Sequence, residues 1–138
     1  MESNKSSTPL EQINTRQNLD IVKLQDLMKK GFYRTERLTL KKLSLELGLP
    51  EYKTRALVNN ILGYRNFNDY VNHLRIAEAG HRLRTETDTP ILNIALDAGY
   101  RTLSSFNRAF KDILKQTPTA YRQAHASQNF DLERNHSS

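Results

Sequence analysis

Apolar residues in this chain recur at helical spacing in short runs, and each run stops at a glycine or a polar cluster. Leu19, Val22, Leu24, Leu27 and Met28 predict an amphipathic helix to about Lys30. Lys29 and Lys30 suit the negative end of its dipole, and Gly31 closes it. A loop, FYRTER, follows. Leu40, Leu43, Ser44 and Leu47 mark the inner side of a short helix ended by Gly48, and Leu49-Pro50 makes the turn. A helix from about Glu51 to Leu62 comes next, with Thr54, Leu57, Val58 and Ile61 inward. Its outer face shows Tyr52, Arg55, Ala56 and Asn59, flanked by Lys53 and Asn60. Asn66 is placed to cap a long helix from Phe67 to about Arg84, with Tyr70, Val71, Leu74, Ala77 and Leu83 as core contacts. Gly80 inside that helix costs about 1 kcal/mol against alanine.

The remaining pattern is the most regular. Thr89 is placed to cap, and Pro90 to open, a helix carrying Ile91, Ile94, Ala95 and Ala98, which Gly99 stops. Thr102 caps a second helix whose stripe is Phe106, Ala109, Phe110 and Ile113. Its other face holds Ser104, Asn107, Arg108 and Lys111. Thr117-Pro118 opens a short last helix bearing Tyr121. The predicted fold is all-α, with two helix-turn-helix subdomains joined by a long linker helix and about seven helices in all. Residues 1–18 read as a disordered arm or linker, 19–66 as the first subdomain and 67–84 as the linker helix. Residues 85–122 read as the second subdomain and 123–138 as a polar tail.

The two subdomains repeat one another with a shift of about fifty residues. Leu43 matches Ile94, Leu47 matches Ala98 and Gly48 matches Gly99. Beyond the turn the shift grows by one, so Thr54 matches Phe106, Val58 matches Phe110 and Leu62 matches Leu114. A linker helix over residues 67–84 is about 27 Å long at 1.5 Å per residue. With the width of each subdomain added, the two outer faces would sit about 34 Å apart, one turn of B-DNA.

Charge sharpens this picture. The chain has 138 residues and a net charge of +6, which favours a polyanionic partner. Residues 32–84 carry ten Lys and Arg against five Asp and Glu, so the first half of the folded region supplies most of the excess. Arginine and asparagine make bidentate contacts to guanine and adenine edges, and a helix-turn-helix presents such side chains to the major groove. The same helices could also be solvated faces on a plain three-helix core.

Other chemistries find little support. There is no cysteine, which removes disulfides, thiolate metal sites and cysteine nucleophiles. No apolar run approaches the roughly 20 residues that span a bilayer, and no secretory signal is visible. His73 and His81 lie eight apart on the linker helix, but no carboxylate completes a metal set there, so no metal or cofactor is expected. Asp97 and Asp112 flank the last recognition helix without a pocket between them, and Asp97 reads as a support for the turn. Tyr121-Arg122 reads as a packing tyrosine beside a phosphate-facing arginine. No enzyme is expected. A protein-interaction module binding an acidic partner is the alternative function.

The stretch IALDAGYRTLSSFNRAFK followed by TPTAYR, with LTLKKLSLELG and FNDYVNHLRIAEA upstream, resembles the DNA-binding region of AraC/XylS-family transcription regulators. The resemblance covers about residues 38–122. It implies a cytoplasmic, bacterial, sequence-specific promoter binder that positions RNA polymerase, acting as an activator. It implies base reading by Tyr52, Arg55 and Ala56, with Asn59 further along, in the first unit, and by Leu103, Ser104, Asn107 and Arg108 in the second, with Lys111 near phosphate. Lys53, flanking the first face, joins the expected DNA contacts on its residue type. Three residues depart from the family pattern. Ala56 stands where arginine is frequent, Leu103 where a polar residue is usual, and Lys115 where glycine ends the helix. Leu103 is expected either to touch a thymine methyl or, as the favoured of the two, to turn inward beside Phe106. Many members carry an N-terminal sensor or dimerisation domain, so this chain is expected to be either a fragment or a stand-alone regulator.

Overall fold

The computed structural model describes residues 9–126. Helix α1 spans Pro9–Lys29, and a short 3-10 turn covers Phe32–Arg34. Helices α2 (Leu40–Leu47) and α3 (Glu51–Ala56) follow, and α3 continues as a π turn over Leu57–Ile61. Then come α4 (Phe67–Thr85), α5 (Ile91–Asp97), α6 (Leu103–Leu114) and α7 over residues 118–126. Among the described residues there is no strand.

The chain divides into two compact units. The first holds α1, α2, α3 and the π turn; the second holds residues 33–37 and everything from Asn68 on. In the first unit Leu24, Met28, Leu43, Leu47, Leu57 and Val58 are buried. Thr39 caps α2 by accepting the Lys42 amide at 3.1 Å, and Gly48 closes it in the left-handed conformation. Lys23 donates from Nζ to the Leu47 carbonyl at 2.6 Å, placing a cation at the negative end of α2. Two buried hydroxyls join α2 to α3, Ser44 Oγ donating to Thr54 Oγ1 at 2.8 Å. At the equivalent places the second unit has Ala95 and Phe106, so its core is drier.

The second unit is built on an aromatic ladder. Tyr100, Phe106, Phe110 and Tyr121 contact in sequence at centroid separations of 5.5, 5.6 and 5.4 Å, two of them edge to face. Such pairs add about 0.5–1.5 kcal/mol beyond the area they bury. Ile76, Ala79, Leu83, Ile94, Ala95 and Ala98 complete this core. Tyr121 lies over Gly80, where a Cβ would stand 3.5 Å from its hydroxyl, an ordinary contact distance.

Segment 33–37 belongs to this second unit although it lies between α1 and α2 in sequence. Arg75 holds it, Nε donating to the Tyr33 carbonyl and Nη2 to the Thr35 carbonyl, each at 2.8 Å. Burial lowers the Arg75 pKa, and the guanidinium lies 5.2 Å from the Tyr100 ring centre. Glu78 accepts from Tyr33 Oη and Arg34 Nε, each at 2.5 Å. Burial and this carboxylate push the Tyr33 phenol up to about 12.

Several local expectations change. Helix α1 begins ten residues earlier than the apolar pattern indicates and takes in residues 9–18, while residues 1–8 and 127–138 lie outside the described residues. Residues 123–126 extend α7 rather than opening a tail. Ile61 is 42 % exposed, because the π turn holds more residues per turn than an α-helix and rotates it off the inner face. The Leu62 amide reaching back to the Leu57 carbonyl at 2.9 Å is that turn's signature. On α4, Ala77 is exposed and Leu74 half-buried, whereas Ile76, Ala79 and Gly80 turn inward. Pro90, not Thr89, stands at the cap of α5, and Thr89 Oγ1 instead donates to Glu86 at 3.0 Å.

Candidate nucleic-acid interface

Helix α6 is fixed from beneath and free above. Phe106 and Phe110 are fully buried, which leaves Ser104, Asn107, Arg108 and Lys111 exposed on the opposite face. Thr102 sets where the helix starts, its Oγ1 accepting the Ser105 amide at 3.1 Å. Lys115 ends it with φ 64°, so the position that the family gives to glycine is left-handed here as well. Asn107, Arg108, Lys111, Asp112 and Lys115 line one shallow surface groove. Leu103 is 39 % exposed at the head of this face, contrary to the inward orientation expected of it.

Helix α3 is the matching element of the first unit. Thr54, Leu57 and Val58 anchor it, and Tyr52, Lys53 and Arg55 are exposed. Ala56 is half-buried. Asn59 is half-buried too, and its Oδ1 is buried with no hydrogen-bond partner among the described residues. The amide therefore does not offer its acceptor outward, as a bidentate contact to adenine requires. Asn59 lies within the π turn, which accounts for the change of direction.

Helix α1 contributes what the sequence pattern did not reveal. Arg16, Gln17 and Asp20 line a cavity of about 320 Å³ together with Tyr52, Lys53, Ala56 and Leu57. The one available signal was Thr8-Pro9, the same dipeptide that precedes α5 and opens α7.

Other candidates resolve as structural. Arg122 donates from Nη2 to the carbonyls of Glu86 and Thr89 at 2.9 and 2.8 Å, so it braces the loop before α5 rather than facing phosphate. Asp97 accepts from Arg82 Nη1 at 2.7 Å and ties α5 to α4. Arg82 also donates twice to Glu86, at 2.7 and 2.8 Å. That pairing holds the Glu86 carboxyl down at about 2. His73 Nδ1 lies 2.8 Å from the Asp69 carbonyl, and no metal-binding cluster occurs among the described residues.

A family model described as a helix-turn-helix domain matches residues 43–124, spanning the turn, linker and recognition helices of both units. The chain belongs to the AraC/XylS family of helix-turn-helix transcription regulators. Its relatives agree. Regulatory protein SoxS of Escherichia coli K12 is 37% identical over 59 residues, 43% of this chain and 54% of SoxS. An HTH-type transcriptional regulator of Staphylococcus aureus is 39% identical over 87 residues, 63% of this chain but 11% of that protein. This AraC-type chain thus spans about half the length of SoxS and about a tenth of the staphylococcal regulator. Among solved structures, the C-terminal domain of AraT, a response regulator from Geobacillus stearothermophilus, superposes with a TM-score of 0.69 at 25% identity. The match covers 76% of this chain and 84% of that one. The C-terminal domain of the response regulator yesN from Fusobacterium nucleatum gives 0.64 at 26% identity, covering 72% and 93%. Among the described residues no helix is long and apolar enough to cross a membrane.

Proposed function

We propose that this chain reads promoter DNA in the bacterial cytoplasm by inserting α3 and α6 into successive major grooves. The observation that carries the reading is the duplicated unit, each copy with an aromatic or aliphatic anchor beneath an exposed Arg-bearing face. Arg55 in α3 and Asn107 and Arg108 in α6 specify bases, with Tyr52, Lys53, Ala56, Leu103 and Ser104 around them. Leu103, exposed at the head of α6, meets a thymine methyl in this reading. Lys111, with Lys41, Lys42 and Arg65, contacts phosphate and sets register. Asn59, whose Oδ1 is buried, is left out of the base-reading set. The bound regulator positions RNA polymerase and activates transcription, working with an N-terminal sensor or dimerisation domain. It is not an enzyme.

The test is fluorescence anisotropy with a duplex selected from a random pool, beside a scrambled duplex, across salt. A preference for the selected duplex and a steep negative slope of log K against log salt are expected. Arg108→Ala should cost about 1–3 kcal/mol and relax preference at one base pair. Equal binding of selected and scrambled duplexes by the wild-type chain refutes sequence reading.

A further inference from the structure

The cavity between α1 and α3 has a composition that base reading leaves unexplained. Three of its seven lining residues, Tyr52, Lys53 and Ala56, belong to the face assigned to DNA. Arg16, Gln17 and Asp20 come from α1. Arginine, lysine, glutamine and tyrosine are side chains that bind phosphodiester oxygens, and four of the seven are of these types. Arg16 and Lys53 are exposed, and Tyr52 is 67 % exposed, so α1 stands beside the reading face without covering it.

The dimensions of the major groove decide what α1 must meet. That groove is about 12 Å wide, and a helix with its side chains is about 10–12 Å across. One helix fills it. A neighbour packed at an interaxial distance of about 8–10 Å cannot share the groove and comes down on its wall. The wall is a line of phosphates.

We infer that α1 is a second DNA-contacting element of the first unit, its Arg16 and Gln17 gripping the phosphates of the strand that borders the groove entered by α3. This rests on the promoter-reading proposal above. Lys53 and Tyr52 border the same cavity from α3, so both helices present phosphate-binding side chain types around it. Asp20, the one acid among the described lining residues, opposes the anionic strand and limits the affinity.

The experiment is the anisotropy titration on the full chain with Arg16→Ala, Arg16→Lys, Asp20→Asn and, as a separate control, Arg108→Ala. Arg16 is exposed on a helix, and alanine favours that conformation, so the fold should survive; circular dichroism checks this. Loss of one phosphate contact should reduce the salt slope by about 0.9. Between 50 and 200 mM salt the affinity of Arg16→Ala should therefore fall by a factor about 3.5 smaller than that of wild type. Selected and scrambled duplexes should weaken alike, Arg16→Lys should restore the slope, and Asp20→Asn should tighten both. An unchanged slope in Arg16→Ala, tighter binding, or a loss confined to the selected duplex overturns the inference. If Arg108→Ala loses discrimination while Arg16→Ala is silent, promoter reading stands and only the role of α1 falls.

Discussion

Gly48 and Gly99 occupy the same place in the repeat, yet replacing each with alanine should have unequal consequences. Both have positive φ, 71° and 112°. In the left-handed region of Gly48 a side chain costs about 1–2 kcal/mol from backbone sterics alone, and at the wider φ of Gly99 it costs at least as much. At Gly48 a Cβ would have nothing within 4 Å, so Gly48→Ala should cost only that. At Gly99 it would lie 2.8 Å from the Arg34 carbonyl oxygen and 2.9 Å from Arg75 Nε. Neither neighbour is free to retreat, because Arg75 is tied to the carbonyls of Tyr33 and Thr35. Overpacking of this kind adds about 1–3 kcal/mol. Gly99→Ala should thus cost about 2–5 kcal/mol in total. Urea denaturation followed by far-ultraviolet circular dichroism reads the difference. With a slope of about 2 kcal/mol per molar, the midpoint should fall by about 1–2.5 M for Gly99→Ala and about 0.5–1 M for Gly48→Ala. In an Arg75→Ala background the Gly99→Ala penalty should shrink, since one of the two obstacles is gone. Equal costs at the two glycines, or no coupling to Arg75, would refute the assignment of the extra penalty to this contact.

Two further outcomes concern α6 and the loop before α5. Lys115 pays a left-handed penalty, so Lys115→Gly should raise stability by about 1 kcal/mol, read as a higher melting temperature. Glu86, held near 2 by the Arg82 guanidinium and the Thr89 hydroxyl, has a folded pKa below its ordinary 4.5. Its contribution is therefore complete above about 4.5 and is lost as pH falls towards 2, so wild type should lose more stability over that window than Glu86→Gln in urea titrations at stepped pH.

The architecture was legible in the sequence because the apolar stripes are strong and local. Phe106, Phe110 and Ile94 announce their helices without help from distant residues, and Gly48 and Gly99 mark both turns. The repeat made each turn evidence for the other. What stayed hidden depends on partners far away in sequence or on small departures from regular geometry. Nothing in the spacing of Arg75 reveals that it grips carbonyls some forty residues earlier. The π turn at Leu57–Ile61 adds less than a residue per turn, too little to disturb an apolar pattern, yet enough to turn Ile61 out and the Asn59 oxygen in. The early turns of α1 escaped because a polar segment carries no stripe. For the interface, exposed Arg and Asn were readable as residue types. Arg122 misled because its type suits phosphate, while two backbone carbonyls claim it.

Segment 33–37 makes the second unit discontinuous along the chain. On the ribosome it emerges some forty residues before the Arg75 and Glu78 that will hold it, a wait of about 2–8 s at 5–20 residues per second. The first unit's α2 and α3 are synthesised inside that interval. A fragment cut at Phe67 would strand the Arg75 guanidinium without its two carbonyl acceptors and leave Glu78 without Tyr33 and Arg34. The two reading heads are repeats in sequence, but they are not interchangeable cassettes: exchanging the second unit between relatives means carrying five residues from upstream of α2 along with it.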